Sequence, residues 1–537
     1  MTRRTRPSWV CLPVVLLTLA AGCDDDLQVT PDAGTPPGEV WDGMSTPIED
    51  KTDWIDRGVF APCSFNGTRG AQLDCDTPAL FDLSKCDPRA FAGVDRHGGY
   101  QTELRSDDVY PFYLGFILPP DGGVDLMAGQ TATRKQFDDQ GFYLSLTTSV
   151  ADGGSRQYSL AGCGVPEANH ITGCYTRCIN GKLVDKGTFN AERMKWGRGE
   201  AESGGLDLAS ESFVSLGFPA DVYVTKNHAY VVSVRIPKTG PAGGLTVFDV
   251  SDKHHPVMKK QISLPGDSYW NAAWAKDDAL YIASQASGVI VYDISNPADP
   301  VFVRSLPGGA PLDIHTLFVD GNRLYAMALW PVSQTLIFDV STPLVPVLLN
   351  RITIATGEDL FSYPHDAFAY EGRLYISHTN SGYVVADVSD PYQVRELGRY
   401  AYALAYSHAS AVGTFAGRTI AFEGGEGEGT HLRVLDVTDP AHIQLIGEHR
   451  LRQSSSIHNM VLKGTRLYVA WYHEGVRVLD VANPTKPKEI AWFNNYREFD
   501  PGRQGHTYEG AIGMRVPGDG FIYAVDTARG LLIFKEP

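Results

Sequence analysis

The chain lacks the short motifs by which many enzymes can be recognised. It has no Gly-x-Ser-x-Gly elbow, no Gly-x-x-x-x-Gly-Lys phosphate loop and no His-Glu-x-x-His zinc pair. The glycines of EGGEGEG at 423–429 have no strand-to-helix setting that would bring phosphate to a helix N-terminus, so they read as a flexible acidic loop. Basic residues are few, 46 Lys and Arg against 63 Asp and Glu, for a net charge of −17. This balance disfavours nucleic acid, which is held largely by Lys and Arg on phosphates, and anionic lipid surfaces as well. No Cys-x-x-Cys pair occurs. Beyond an apolar run at 10–21 there is no segment apolar and long enough to cross a bilayer.

That first run says where the protein is expected to reside. Arg3, Arg4 and Arg6 precede it, and at this length it suits a signal-peptide core rather than a membrane span. It ends in Leu19-Ala20-Ala21-Gly22-Cys23, which resembles a bacterial lipobox. The resemblance implies a lipoprotein signal peptide at 1–22, cleavage before Cys23 and lipidation of Cys23. The membrane would then be a partner through the N-terminal lipid alone, and the expected place is the bacterial cell envelope, periplasmic or surface-exposed. Residues 23–50 are rich in Asp, Pro, Gly and Thr, with too little apolar surface to offset folding entropy, and read as a flexible tether.

What the chain does have is repetition. LTVFDVSD at 245–252 recurs as VIVYDISN, TLIFDVST, YVVADVSD, LRVLDVTD and VRVLDVAN, and fades to LLIFKEP at the end. The shared aspartates, Asp249, Asp293, Asp339, Asp387, Asp436 and Asp480, lie about 45 residues apart, the length of a propeller blade. From His315, HTLFVDG and RLYAMAL read as two strands, TLIFDV as a buried third, and VLLNRITI beyond a Ser-Thr-Pro turn as the outermost. Aspartate before Ser/Thr and Pro fits an Asx-type turn, so the aspartate row reads as structural. The last copy ends after its third strand. SFVSLG at 212–217 resembles the outer strands and is expected to complete that blade, leaving no open sheet edge.

The V/I/L-D-V-S-D-P signature resembles the LVIVD-repeat family of β-propellers over roughly the last three-fifths of the chain. The resemblance implies an extracytoplasmic propeller and little about a reaction. The last copy departs from it, with Lys535 in place of the aspartate. The fold expected is therefore all-β: a seven-bladed propeller at 206–537, closed by an N-terminal strand. A small β-rich domain at 51–205 precedes it, with runs such as FYLGFIL and FYLSLTTSV between Asp-Gly-Gly turns. That domain holds Cys63, Cys75, Cys86, Cys163, Cys174 and Cys178. In an exported chain these are most simply three disulfides, of unknown pairing.

The best chemical signal lies at the start of the inner strands. His315, His365 and His458 stand at one fixed spacing before Tyr325, Tyr375 and Tyr468. His408 joins them if its hairpin carries two extra residues before Ile420, and the other copies offer Ala220, Asn271 and Ala511. The same face is expected to hold Trp330, His378, Glu423, Glu426, Glu428 and His473. Three readings of the row compete. The imidazoles can be scaffold, each hydrogen-bonded within or between blades. They can converge and hold a transition metal such as iron, copper, zinc or manganese. They can line a metal-free pocket for an anionic or sugar-like ligand. The sequence points first to a module binding a protein or glycan in the envelope. The alternative is a metal-dependent enzyme using His315, His365, His408 and His458, with Glu423 or Glu509 as base.

Overall fold

A computed structural model describes residues 40–120, 122–149, 153–195, 201–235, 240, 242–307, 311–356 and 362–537. The expected signal peptide, Cys23 and the expected tether up to residue 39 lie outside the described residues. Among those described, seven antiparallel sheets form the blades, each a meander running outward from its innermost strand, with an earlier strand added at the outer edge of the last two. The innermost strands are Phe218–Thr225, Trp270–Lys276, Asp313–Asp320, Asp366–Tyr370, Ser407–Phe415, Met460–Lys463 and Ala511–Arg515, defining blades 1 to 7. The repeat signature is the third strand, for example Gln334–Asp339, where all but the last residue is buried. It is apolar on both sides because each blade packs face to face on two neighbours. Val289 and Val291 of blade 2 share a core with Leu324 and Leu336 of blade 3. The same holds across the ring junction, where Val222 and Val231 of blade 1 meet Tyr523 and Ile533 of blade 7. Burial between blades, at about 25 cal/mol per Å² of apolar surface, is what holds the ring.

The aspartate row is structural. Asp249, Asp293, Asp339, Asp387, Asp436 and Asp480 each accept the backbone N–H two residues on, at 2.7 to 3.1 Å. These are the Asx turns that steer the third strand into the fourth.

An N-terminal strand does close the ring, but it is not SFVSLG. Asp207–Ser212 pairs antiparallel with Gly530–Lys535, from Asp207 opposite Lys535 to Ser212 opposite Leu531. The following residues carry the chain from the rim to the first innermost strand, and Phe213 is 66% exposed on that link. Upstream, Ser203–Gly204 adds a fifth strand to blade 6.

The preceding β domain is one nine-stranded sheet with Gly98–Ser106, Lys182–Arg193 and His170–Ile179 near its middle. Disulfides Cys63–Cys174, Cys75–Cys178 and Cys86–Cys163 tie the segment before the sheet to its strands. The sheet is docked on the propeller through polar contacts. Glu498 accepts from both Arg193 and the Gly99 amide, and Gln101 donates to the His506 carbonyl. Gly115 lies so close that an added Cβ would sit 2.0 Å from the Gly505 oxygen, so only glycine fits there.

Residues 40–50, which composition assigns to the tether, are held rather than free. Trp41 is 5% exposed within the core of blades 5 and 6. The Ile48 amide donates to the Leu445 carbonyl, and Asp50 accepts from buried Arg433 at 2.9 Å. A single large aromatic and one ion pair offset the ordering of a chain that is otherwise polar.

Candidate metal centre on the propeller axis

One residue in each innermost strand lines the channel at the middle of the ring. In blades 1, 2, 3, 5 and 7 it stands at a β-bulge, between Pro219 and Asp221, Trp270 and Ala272, Ile314 and Thr316, Ser407 and Ala409, and Ala511 and Gly513. A bulge leaves one residue unpaired and re-aims its side chain, here toward the channel. In blades 4 and 6, His365 and His458 occupy the same place just ahead of their strands. The resulting ring is Ala220, Asn271, His315, His365, His408, His458 and Ile512. Blade 7 contributes Ile512 and not Ala511, because its first turn is only one residue longer than the others. The two extra residues of blade 5 lie within its strand and not in its turn. Since side chains alternate with period two, an insertion of two leaves His408 facing the channel.

The four imidazoles form a continuous arc. Successive ring centroids are 4.3, 4.1 and 4.3 Å apart from His315 through His365 and His408 to His458. Glu426, from the acidic loop of blade 5, reaches into this arc. Its Oε2 lies 3.8 Å from His365 Nε2 and 3.7 Å from His408 Nε2, and its Oε1 lies 3.6 Å from His458 Nε2. The Tyr472 hydroxyl donates to Glu426 Oε1 at 2.6 Å and fixes the carboxylate. Sequence reasoning placed Glu426 on this face without singling it out.

Burial keeps the imidazoles neutral. Desolvation lowers His315 to about 4 and, with repulsion from neighbouring imidazoles, lowers His408 and His458 to about 3. His365 is lowered well below the usual range for the same reasons. Neutral imidazole is the form that ligates metals. No hydrogen bond of good geometry satisfies either nitrogen of His408 or Nδ1 of His365, whereas His458 Nδ1 bonds the Ile512 carbonyl at 2.7 Å. A ring N–H on a backbone carbonyl is the usual way a ligating histidine is oriented. Ligand atoms of His365, His408 and Glu426 all fall within 4.8 Å of one another. Two ligands of a tetrahedral ion at about 2.1 Å lie about 3.4 Å apart, so small rotamer changes suffice to close the set on an ion.

Cavities open on both sides of the arc. One of about 510 Å³ is lined by Tyr269, Tyr363, Tyr406, Tyr472 and Tyr508 together with Glu426. A cleft of about 600 Å³ beneath the β domain, between Tyr110 or Tyr113 and Tyr402 or Tyr406, reaches the same Glu426. On the far side, a cavity of about 400 Å³ has His365, His408 and His458 among its lining residues.

The remaining sequence candidates lie elsewhere. His378 is buried in blade 4, its Nδ1 3.0 Å from Ser362 Oγ. His473 is buried against the Tyr496 ring at 4.5 Å. Trp330 is 57% exposed at the end of its strand. Glu423 points into blade 5, where it accepts from Tyr402 and Ser407 hydroxyls and faces Arg433 at 3.7 Å. Burial raises its carboxyl to about 7 despite that arginine. Glu509 accepts from the Gln504 amide, and burial raises it to about 7 as well. Neither glutamate lines the cavities beside the histidines.

No curated protein matches the sequence. Among solved structures, the propeller domain of Myceliophteria thermophila Cps50 (Swd1) aligns at 12% identity over 62% of this chain and 100% of its own, with a TM-score of 0.44. The WD40 propeller domain of Doa1 aligns at 9% identity over 62% and 97%, with a TM-score of 0.44. The computationally designed Ika8 protein aligns at 14% over 61% and 100%, with a TM-score of 0.41. The repeats themselves are matched by the family model described as LVIVD repeat, at 217–263, 272–306, 365–402 and 456–495, which fall on blades 1, 2, 4 and 6 of this propeller.

Proposed function

We propose that the propeller axis holds a transition metal ion, with His365, His408, His458 and Glu426 as ligands and His315 completing the arc, and that the chain is a metal-dependent enzyme acting on a small molecule. The observation that carries this reading is the convergence of buried, neutral imidazoles from three blades on one carboxylate, with both nitrogens of His408 and Nδ1 of His365 making no hydrogen bond of good geometry. His315, His365 and His458 each make one bond to a neighbouring blade, as scaffold would, but His408 spends neither nitrogen on one, which a buried scaffold imidazole should. Iron, copper, zinc and manganese all accept imidazole and carboxylate together. Such an ion supplies Lewis-acid or redox chemistry, and the adjoining cavity leaves room for a ligand beside it.

The propeller fold also fits a binding module, and an envelope protein or glycan would meet the tyrosine-lined mouth. Attachment to a bacterial membrane through Cys23 is part of the same proposal. It is supported by the basic start, the short apolar run and the Leu-Ala-Ala-Gly-Cys sequence. The deciding experiment is metal analysis of protein expressed with iron, copper, zinc and manganese supplied. About one ion per chain is expected, lost in His408→Ala. Metal-free wild-type protein under those conditions would rule the reading out.

A further inference from the structure

The far cavity has its own repeat-encoded lining. Three residues after the axial position, blades 1 to 4 carry Tyr223, Trp274, Phe318 and Phe368, each paired across its hairpin with Tyr230, Tyr281, Tyr325 and Tyr375. The four rings form a ladder around half the mouth, with centroids 5.3, 4.7 and 4.9 Å apart and planes inclined by 44 to 50°. All four are only half-buried and all line the cavity of about 400 Å³ that has the histidines on its floor. Arg515, at the equivalent position of blade 7, lies over Tyr223 and Trp274 at 5.6 and 5.1 Å.

The polar groups of this mouth are committed in part. Arg515 pairs with Asp221 at 3.1 Å, Thr316 donates to the His365 carbonyl, and Asp366 accepts from the Ala367 amide. Asp221 Oδ1, Ser410 Oγ and Arg515 Nε make no hydrogen bond of good geometry, and the larger free surface is that of the rings. A flat molecule stacked on the rings fits that surface, and a charged ligand would find the Asp221–Arg515 pair already neutralised. We infer that this collar is a binding site for a flat, uncharged aromatic molecule, delivered to within reach of the histidines. The inference gives the axial site a substrate class. It rests on the metal reading for the chemistry that follows and not for binding itself.

The test is titration of 2-naphthol into the full mature chain, once after dialysis against chelator and once with metal restored, followed by calorimetry. Saturable binding of one molecule per chain is expected in both states. Trp274→Leu should weaken it about tenfold, the upper range of a stacked ring contact, and Trp274→Phe should restore most of it. Phe368→Leu, at the end of the ladder, serves the same purpose if thermal melting shows Trp274→Leu to be poorly folded. Rings that serve only to pack the blades would give lower melting temperatures with no saturable binding. That result, or undiminished binding in both leucine variants, would overturn the collar. Because the chelated protein is measured separately, loss of the metal reading and loss of the collar are told apart.

Discussion

The Nε2 atoms of His315 and His365 face each other at 2.9 Å across the boundary of blades 3 and 4. Neutral imidazoles can share one proton at that distance, one ring donating to the other's lone pair, while the Asn271 side chain lies 3.3 Å from the same His315 nitrogen. An arc linked in this way responds as a unit. Single alanine replacements at His365, His408 or His458 should each lower metal affinity by two orders of magnitude or more. Pairs of them should cost little beyond one, because ligands of a shared ion are coupled. Competition against a chelator of known affinity measures this, and additive losses would indicate blade-local roles instead.

In the proposed site Tyr472 would act through Glu426 and not on the ion. Tyr472→Phe removes the hydroxyl that donates to the carboxylate while keeping the ring packed in the core shared by blades 7 and 1. Metal affinity should fall about 10- to 100-fold, as for other supporting hydrogen bonds, with the melting temperature of the metal-free protein nearly unchanged.

The buried Glu423 makes a pH prediction of definite sign. Burial raises its carboxyl from 4.5 to about 7, so between those values the folded chain keeps a proton that the unfolded chain has lost. Stability from this group is therefore complete below pH 4.5 and falls as pH rises toward 7, by an amount on the order of 2 to 3 kcal/mol. Glu423→Gln keeps an acceptor for Tyr402 and Ser407 and should flatten that slope. Denaturant unfolding of both proteins at pH 5 and pH 8 gives the comparison.

Ring closure should depend on residues 207–212 and not on the link after them. Deleting residues 207–212 alone exposes the edge of Gly530–Lys535, and self-association is expected on size-exclusion chromatography. Phe213→Ser, on the exposed link, should change stability by no more than about 0.5 kcal/mol.

Attachment has an independent check. If Cys23 carries the proposed lipid, Cys23→Ser should move the protein from the membrane to the soluble fraction of a bacterial expression host. Retention of the variant on membranes would point to another anchor.

Much of the fold was legible because a repeat states the same local solution several times. The buried third strand and its aspartate turn recur nearly intact, and the histidine row follows once copies are aligned. Less was legible wherever one residue decides. SFVSLG and DLASES are both short segments with strand character, and only the geometry of the ring determines which lies at the rim and which crosses to the axis. Glu423 and Glu426 stand three apart in one glycine-rich stretch. The first belongs to a strand facing Arg433, the second to the turn beyond it, and composition does not separate them. The docking of the β domain left no local trace, since Arg193 and Glu498 are joined only in the folded chain.

The channel-facing position of the innermost strands has a consequence for how such a protein changes over time. Its side chain stands at a bulge in five blades, and in the other two only the backbone of His365 and His458 bonds the next strand, so the side chain can be exchanged without loosening the blade. Frame and lumen are then free to diverge at different rates. Copying a blade reproduces the frame, while Ala220, Asn271, Ile512 and the histidines differ from copy to copy in the lumen. A histidine introduced at Ala220 or Asn271 would extend the arc into a neighbouring blade, and the same ring could come to hold a different ion or none.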